Sequence, residues 1–391
     1  MNRITVDMSP LVHGSGAVSR CTECMARELL EYEDAGFDFL YFDYKRQTER
    51  YLKPSKDNVN EIVIRMPQRL LIPFWKRFSW PNLEMLLPEC NLFYTNEFYF
   101  PPSNNVLVLA TIHGLAYRVI PEKISSQIVQ SLDQGLSFIL KHADYLVAVS
   151  EATKRELICN VGVRPERIYV VTHGVDKQFH YEEDEEQVWG RLRKLYGFSR
   201  PYILYVGAIG RHKNISGILR AYERLSSKLS HDLVLVGRAD SAWAEAHQFV
   251  SDHNLSERVQ FLGYVDQKGT NLLDLYNGAD LFVFPSFYEG WSSPPLEAMA
   301  CGTPVITSNC SSLPETVGNA AIQVDPCNSE ALAYQMERVL SDKTLKKQLV
   351  TMGFDHVSSH SWHKAAKRLI DAFADAWSRG PWREENNEGC D

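Results

Sequence analysis

The sequence predicts an α/β protein made of two doubly wound parallel-sheet domains, and three observations carry that expectation. The chain has 391 residues, which at roughly 100–200 residues per domain favours two. Short apolar, β-rich runs alternate with amphipathic stretches along most of its length, as successive βαβ units do. The alternation breaks at an acidic run, Tyr181-Glu-Glu-Asp-Glu-Glu-Gln187, and starts again after Pro201. Such a solvated run is typical between domains.

In the first half the expected strands are Ile4–Met8, Phe37–Asp43, Glu61–Met66, Leu92–Thr95, Val106–His113, Tyr145–Ser150 and Ile168–His173. Several are apolar at consecutive positions, as in sheets covered on both faces. In the second half they are Tyr202–Ile209, Leu233–Gly237, Val259–Val265, Leu281–Pro285 and Pro304–Ser308. The domains are expected at 1–185 and 196–361, facing each other across a cleft lined by the carboxyl ends of their strands. Trp362–Trp377 has apolar residues at helical spacing and is expected to pack back on the first domain. A polar tail, 378–391, should fray.

With 45% hydrophobic and 23% charged residues the chain can bury a core, which excludes wholesale disorder. Its 41 Lys+Arg against 49 Asp+Glu leave a net charge of -8, so no nucleic-acid partner is expected. No apolar run approaches the roughly 20 residues of a membrane span. Asp7 stands where a signal peptide would be apolar, so a cytoplasmic protein is expected. The eight cysteines, 21, 24, 90, 159, 301, 310, 327 and 390, are scattered as reduced thiols are. Cys21 and Cys24 form a lone CxxC without a second pair, and no metal site is expected.

Four segments hold candidate chemistry. In Glu289-Gly290-Trp291-Ser292-Ser293-Pro294-Pro295-Leu296-Glu297, Ser293 is a plausible N-cap with proline following, and Gly302 a plausible C-cap. Glu297 would then lie in the first helical turn, where the macrodipole favours a carboxylate. Free N–H groups from Ser292 onward suit a phosphate. A capping glutamate beside a surface glutamate is the alternative. Gly207-Ala-Ile-Gly210-Arg211-His212-Lys213 places two glycines and then cations at a strand end, which suits a diphosphate with Lys213 as the point charge. Gly14-Ser15-Gly16 opens a helix after the first strand, although Ser19 replaces the third glycine of GxGxxG. His113-Gly114 ends an apolar strand, aiming the imidazole at the cleft.

The pair of glutamates and its flanks, Phe-Pro-Ser-Phe-Tyr-Glu-Gly and Pro-Leu-Glu-Ala-Met-Ala-Cys-Gly-Thr-Pro-Val, resemble the signature of family-4 retaining glycosyltransferases of the GT-B fold. The resemblance extends through Thr111-Ile-His-Gly114, Ala143–Leu157, His173-Gly-Val-Asp176, Lys213-Asn214, Leu313-Pro-Glu315 and Val324-Asp-Pro326. It implies transfer of a sugar from a nucleotide diphosphate-sugar with retention at the anomeric carbon. On that resemblance Glu297 would hold the ribose hydroxyls, and Glu289 the donor sugar near its 3-hydroxyl. Gly290, Trp291 and Ser292 would contact the sugar and distal phosphate. Lys213 would neutralise the diphosphate, His113 would face the anomeric centre, and Gly14–Gly16 would close over the phosphates. Trp291-Ser292 replaces the family's frequent Phe-Gly, and Ala208 its frequent Arg; Arg211 is the expected substitute cation.

The implied activity is that of a hexosyltransferase in surface polysaccharide or lipopolysaccharide synthesis, with GDP-mannose the first expectation for the donor and a UDP-sugar the second. An inactive GT-B scaffold subunit is the non-catalytic alternative. No metal is expected, because Asp-x-Asp is missing. Same-face attack and double displacement through Glu289 remain open. The acceptor would be a glycan or a lipid-linked sugar. Residues 62–83 lack acids and mix Arg65, Arg69, Lys76 and Arg77 with Leu70, Phe74, Trp75, Phe78 and Trp80, a composition that suits peripheral contact with anionic lipid. Pro67, Pro73 and Pro81 are expected to interrupt any long helix there.

Overall fold

The computed structural model describes residues 3–14, 16–32, 36–47, 49, 51–52, 59–266 and 269–382. The chain divides into two compact units. One takes the chain up to Arg118, Ser126–His173 and the chain from Trp362; the other takes Val119–Ser125 and Gly174–Ser361. The break therefore follows His173 rather than 185, so the acidic run lies inside the second unit.

The first unit is built on a seven-stranded parallel sheet. Its strands are β1 (Ile4–Asp7), β2 (Phe37–Phe42), β3 (Asn60–Ile64), β4 (Leu92–Thr95), β5 (Leu107–Ile112), β6 (Tyr145–Ala148) and β7 (Ile168–Val170), in the order β3-β2-β1-β4-β5-β6-β7. All six side chains of β2 are buried, because helices cover both faces of the sheet. Three helices position functional groups: α1 (Ala17–Leu29), α2 (Gln68–Phe78) and α3 (Ser126–His142). Helix α2 runs through Pro73, correcting the expectation of an interruption. Its inward residues Gln68, Leu71 and Trp75 are buried, and Trp75 Nε1 donates to the Pro81 carbonyl at 3.0 Å. That packing outweighs the proline penalty.

The second unit has a six-stranded parallel sheet of β8 (Tyr202–Val206), β9 (Asp232–Val236), β10 (Val259–Gly263), β11 (Leu281–Phe284), β12 (Val305–Ser308) and β13 (Ile322–Val324), ordered β10-β9-β8-β11-β12-β13. Strand β13 is absent from the sequence expectation. The order reverses between β8 and β11, the place where an open α/β sheet leaves a crevice for ligands. Helices α4 (Ile215–Leu225) and α5 (Ser293–Ala300) follow those two strands.

Beyond the second unit the chain returns as α6 (Trp362–Arg379). Trp362, Ala365, Ala366, Leu369, Phe373 and Ala376 join the core of the first unit. Tyr169 OH donates to Asp375 at 2.7 Å and Tyr145 OH to the Gly380 carbonyl at 3.0 Å. Ser378 and Arg379 still belong to α6, and most of the expected tail lies outside the described residues.

The carboxyl ends of β8 and β9 touch backbone to backbone. A Cβ on Gly237, at φ +151°, would lie 1.7 Å from the Gly207 carbonyl oxygen. Gly237→Ala is expected to destabilise the second unit by at least about 3 kcal/mol, the scale of a large steric and backbone penalty. A shift in the urea midpoint checks it.

Candidate active site

In the second unit the site assembles where the sheet order reverses. After β8, the chain passes Gly207 and makes a tight turn over Arg211–Lys213 before α4. Asn214, in the left-handed region at φ +60°, fixes that turn. Its Oδ1 accepts from Gly217 N at 3.2 Å, and its Nδ2 donates to the carbonyls of Pro285 (3.1 Å) and Pro326 (2.7 Å). One buried amide thus ties the Lys213 turn to the ends of β11 and β13, and caps α4.

Lys213 Nζ donates to both oxygens of Glu289, at 2.6 and 2.8 Å. Both side chains are largely buried, 16% and 9% exposed. The Glu289 backbone is clamped as well. Its N–H donates to Ser311 Oγ at 2.8 Å, and its carbonyl accepts from Ser312 Oγ at 2.9 Å. Phe287 N–H donates to the His212 carbonyl at 2.9 Å, so the two loops that present Lys213 and Glu289 are joined directly.

Glu297 is buried, and its Oε2 accepts from Tyr276 OH at 2.8 Å. Helix α5 begins at Ser293 with Ser292 as its N-cap and Pro294 and Pro295 following. Two expectations are corrected here. Ser293 is the first helical residue rather than the cap, and Glu297 lies past the first turn, where the macrodipole acts less. The helix closes at Cys301, with Gly302 at φ +75° just beyond. Ser292 is buried, and the Trp291 ring lies 6.0 Å from that of His360.

Arg211 does not join the Lys213 cluster. Its guanidinium is exposed and pairs with Glu245 at 2.5 Å. Sequence spacing locates its charge but not its rotamer. Lys123, from the Val119–Ser125 segment, places its ammonium 3.9 Å over the Phe287 ring, and Arg238 stacks on Tyr264 at 4.4 Å. Neither cation was expected, because each lies in a segment without a motif. Ser311 and Ser312 belong to a run with only a family likeness to mark it.

In the first unit, Gly14 closes the short helix Ser9–His13 by donating to the Pro10 carbonyl at 3.0 Å, and Gly16 caps α1. Ser15 lies outside the described residues. Cys21 and Cys24 are buried on α1, and Cys21 Sγ contacts His173 Nδ1 at 3.2 Å. His113 follows β5, and its Nε2 is buried with no hydrogen-bond partner among the described residues. Burial pushes its pKa down to about 4, and that of His173 down to about 3. His113 therefore presents a neutral imidazole near pH 7. No group of three or more metal-ligating side chains occurs among the described residues.

A profile described as Glycosyltransferase Family 4 matches residues 18–179, and one described as Glycosyl transferases group 1 matches residues 194–356. The O-antigen chain mannosyltransferase B of Escherichia coli is 30% identical over 311 residues, covering 78% of each chain. This chain is a family-4 glycosyltransferase of the mannosyltransferase branch, with the GT-B fold. The O-antigen chain mannosyltransferase RfbU of Salmonella typhimurium is 32% identical over 256 residues, 64% of this chain and 66% of that one. Sucrose-phosphate synthase from Thermosynechococcus elongatus has the same fold, with TM-score 0.76, 22% identity and coverage of 97% and 100%. So does Anabaena HepE, solved with UDP-glucose, with TM-score 0.73, 17% identity and coverage of 96% and 100%.

The lowered pKa values of His113, His142 and His173 make the fold of this glycosyltransferase acid-sensitive. All three lie below the ordinary 6.5, so the stability these histidines confer is present above that pH and is lost as pH falls toward 4. Urea midpoints should drop between pH 6.5 and 4, and His113→Asn should reduce the drop.

Proposed function

We propose that this glycosyltransferase moves a mannosyl group from GDP-mannose, with retention, to a hydroxyl of a glycan or lipid-linked acceptor in surface polysaccharide synthesis. The observation that supports this most is the buried Lys213–Glu289 pair beside the start of α5 and Glu297. A cation, the Ser293 N–H at a helix start and two buried carboxylates suit a diphosphate flanked by a ribose and a sugar. The kinship with O-antigen mannosyltransferases favours mannose.

In the proposed step the bond from the anomeric carbon to the distal phosphate oxygen breaks, and its electron pair leaves with GDP. The acceptor oxygen bonds to the same face of that carbon, and its proton passes to the departing phosphate. Lys213 and the α5 N-terminus stabilise the charge that develops on the diphosphate, in place of a metal. Glu297 holds the ribose hydroxyls and Glu289 the sugar. In the first unit His113, neutral near pH 7 through its burial, stands with Gly14 and Gly16 among the residues that the family likeness assigns to the donor. HepE, solved with UDP-glucose, favours the second reading, a UDP-sugar donor.

Thermal shifts with GDP and UDP separate the two donors, since a ligand that binds the native state raises its melting temperature. GDP is expected to give the larger shift, Glu297→Ala to abolish it, and Lys213→Ala to lower kcat at least about 100-fold. Turnover in EDTA should equal turnover without it. Equal shifts with both nucleotides, or no donor turnover, would refute the donor reading or the activity.

We also infer that α2 and its flanks rest on the membrane that bears the acceptor. Met66, Leu70, Phe74, Phe78, Trp80 and Met85 are all exposed, and Phe74 lies 6.3 Å from the rings of both Phe78 and Trp80. Arg69, Lys76 and Arg77 are exposed on the same helix, with Lys76 turned to Gln134 at 3.1 Å. Trp75 is not part of this face, because it is buried against Phe42. Rings at headgroup depth with cations on anionic lipid fit a peripheral contact. Co-sedimentation with phosphatidylglycerol vesicles at low salt should exceed that with phosphatidylcholine. Arg69→Ser with Arg77→Ser should weaken it roughly thirtyfold, at about 1 kcal/mol per cation.

A further inference from the structure

One carboxylate at the ligand end of the first sheet has no role in any of the above. Glu97 lies just past β4, the strand between β1 and β5. Val6 pairs with Tyr94 and Thr95 with Ala110, so Glu97 lies level with the end of β5, one strand from His113.

The loop around it is fastened on both sides. Asn96 Nδ2 donates to Thr22 Oγ1 of α1 at 3.1 Å. Phe98 packs so closely on α3 that a Cβ on Gly135 would meet its ring at 2.6 Å. The Glu97 N–H donates to Thr95 Oγ1 at 3.0 Å, and that hydroxyl donates to Asp7 at 2.9 Å. Yet the Glu97 carboxylate itself, only part-exposed, makes no hydrogen bond or ion pair among the described residues. Two neighbours are anchored so that an unpaired carboxylate stands at the edge of the sheet.

Burial, and then the Asp7 charge, push its pKa up to about 7. Asp7 of β1 accepts from Ser9 N and Thr95, and His13, just before Gly14, acts on it electrostatically. His113, just past β5, is held neutral by its own burial. No described cation compensates Glu97. An unpaired, half-buried charge lowers stability, and such groups concentrate where a ligand supplies the missing partner. With the neutral and likewise unpartnered His113 Nε2 at the end of the neighbouring strand, the complement is a set of neutral hydroxyl donors rather than an anion.

We infer that Glu97 binds the acceptor: its carboxylate receives hydroxyls of the mannose that terminates the growing glycan. This rests on the proposed mannosyl transfer and adds the acceptor side of the same reaction.

The test uses the full chain, GDP-mannose, and octyl α-mannoside and α-linked mannobiose as acceptors, with Glu97→Gln and Glu97→Ala. KM for the mannoside should rise at least about tenfold, the scale of hydrogen bonds to a charged group, while KM for GDP-mannose changes less than about twofold. In the wild type, kcat/KM for the mannoside should climb with pH through about 7 and level off, a step missing from Glu97→Gln. At pH 8 Glu97→Gln should melt no lower than the wild type, since it removes an uncompensated charge. The inference is overturned by an unchanged mannoside KM, by a pH step that survives in Glu97→Gln, or by a lower melting temperature with both KM values altered. Donor hydrolysis by the wild type without transfer to either mannoside overturns it too. A wild type that turns over no nucleotide-sugar refutes the proposed function first, and the inference falls with it.

Discussion

Lys213 and Glu289 lie 2.6 Å apart with little access to water, and much of the second unit's local structure serves to keep them so. Removing two charges from water costs several kcal/mol per ion, and their attraction returns that only when the geometry is good. The geometry here is held by atoms that do not belong to the pair. Asn214 fixes the turn under Lys213, Ser311 and Ser312 grip the Glu289 backbone, and Phe287 joins the two loops. A buried ion pair is weak evidence for stability. The investment in positioning this one fits the proposed role, stabilising the charge of a diphosphate.

The rest of the site follows from the sheet. Parallel strands send all their carboxyl ends to one edge, so loops far apart in sequence converge there. The contact of Gly207 with Gly237 lets the β8 and β9 ends close on each other, while β8 and β11 diverge around the crevice that Lys213 and Glu289 share. In the first unit the same edge collects Gly14, Glu97 and His113 from three neighbouring strands.

Most of this architecture is legible in the sequence, and the exceptions have physical causes. Consecutive apolar residues reveal strands such as Leu107–Ile112, because burial on both faces leaves no room for polar positions. Strand β13 escapes notice because it has only three residues, one of them Gln323. Glu289, Glu297 and Lys213 stand in motifs, so their types and spacing already suggest a diphosphate site. Arg211 misleads, since a rotamer chosen by Glu245 cannot be read from spacing. Pro73 misleads because tertiary packing overrides local propensity. Glu97 has no motif at all. Its distinction is a missing partner, and only three-dimensional structure can show that.

The choice of lysine at 213 resolves an apparent conflict in the site. If Glu289 already neutralises the cation, little charge should remain for a diphosphate. An ammonium, however, has three donors on a compact centre. Two of them reach the Glu289 oxygens, and the third would serve a phosphate in the proposed reaction. Sugar hydroxyls arriving at Glu289 would then compete for the carboxylate oxygens and release further donors of Lys213 toward the leaving group. Guanidinium, planar and suited to a bidentate grip on a carboxylate, would share itself less readily. In the proposed reaction Glu289 would orient Lys213 until the donor arrives, and the ion pair would loosen as the sugar and diphosphate take its place.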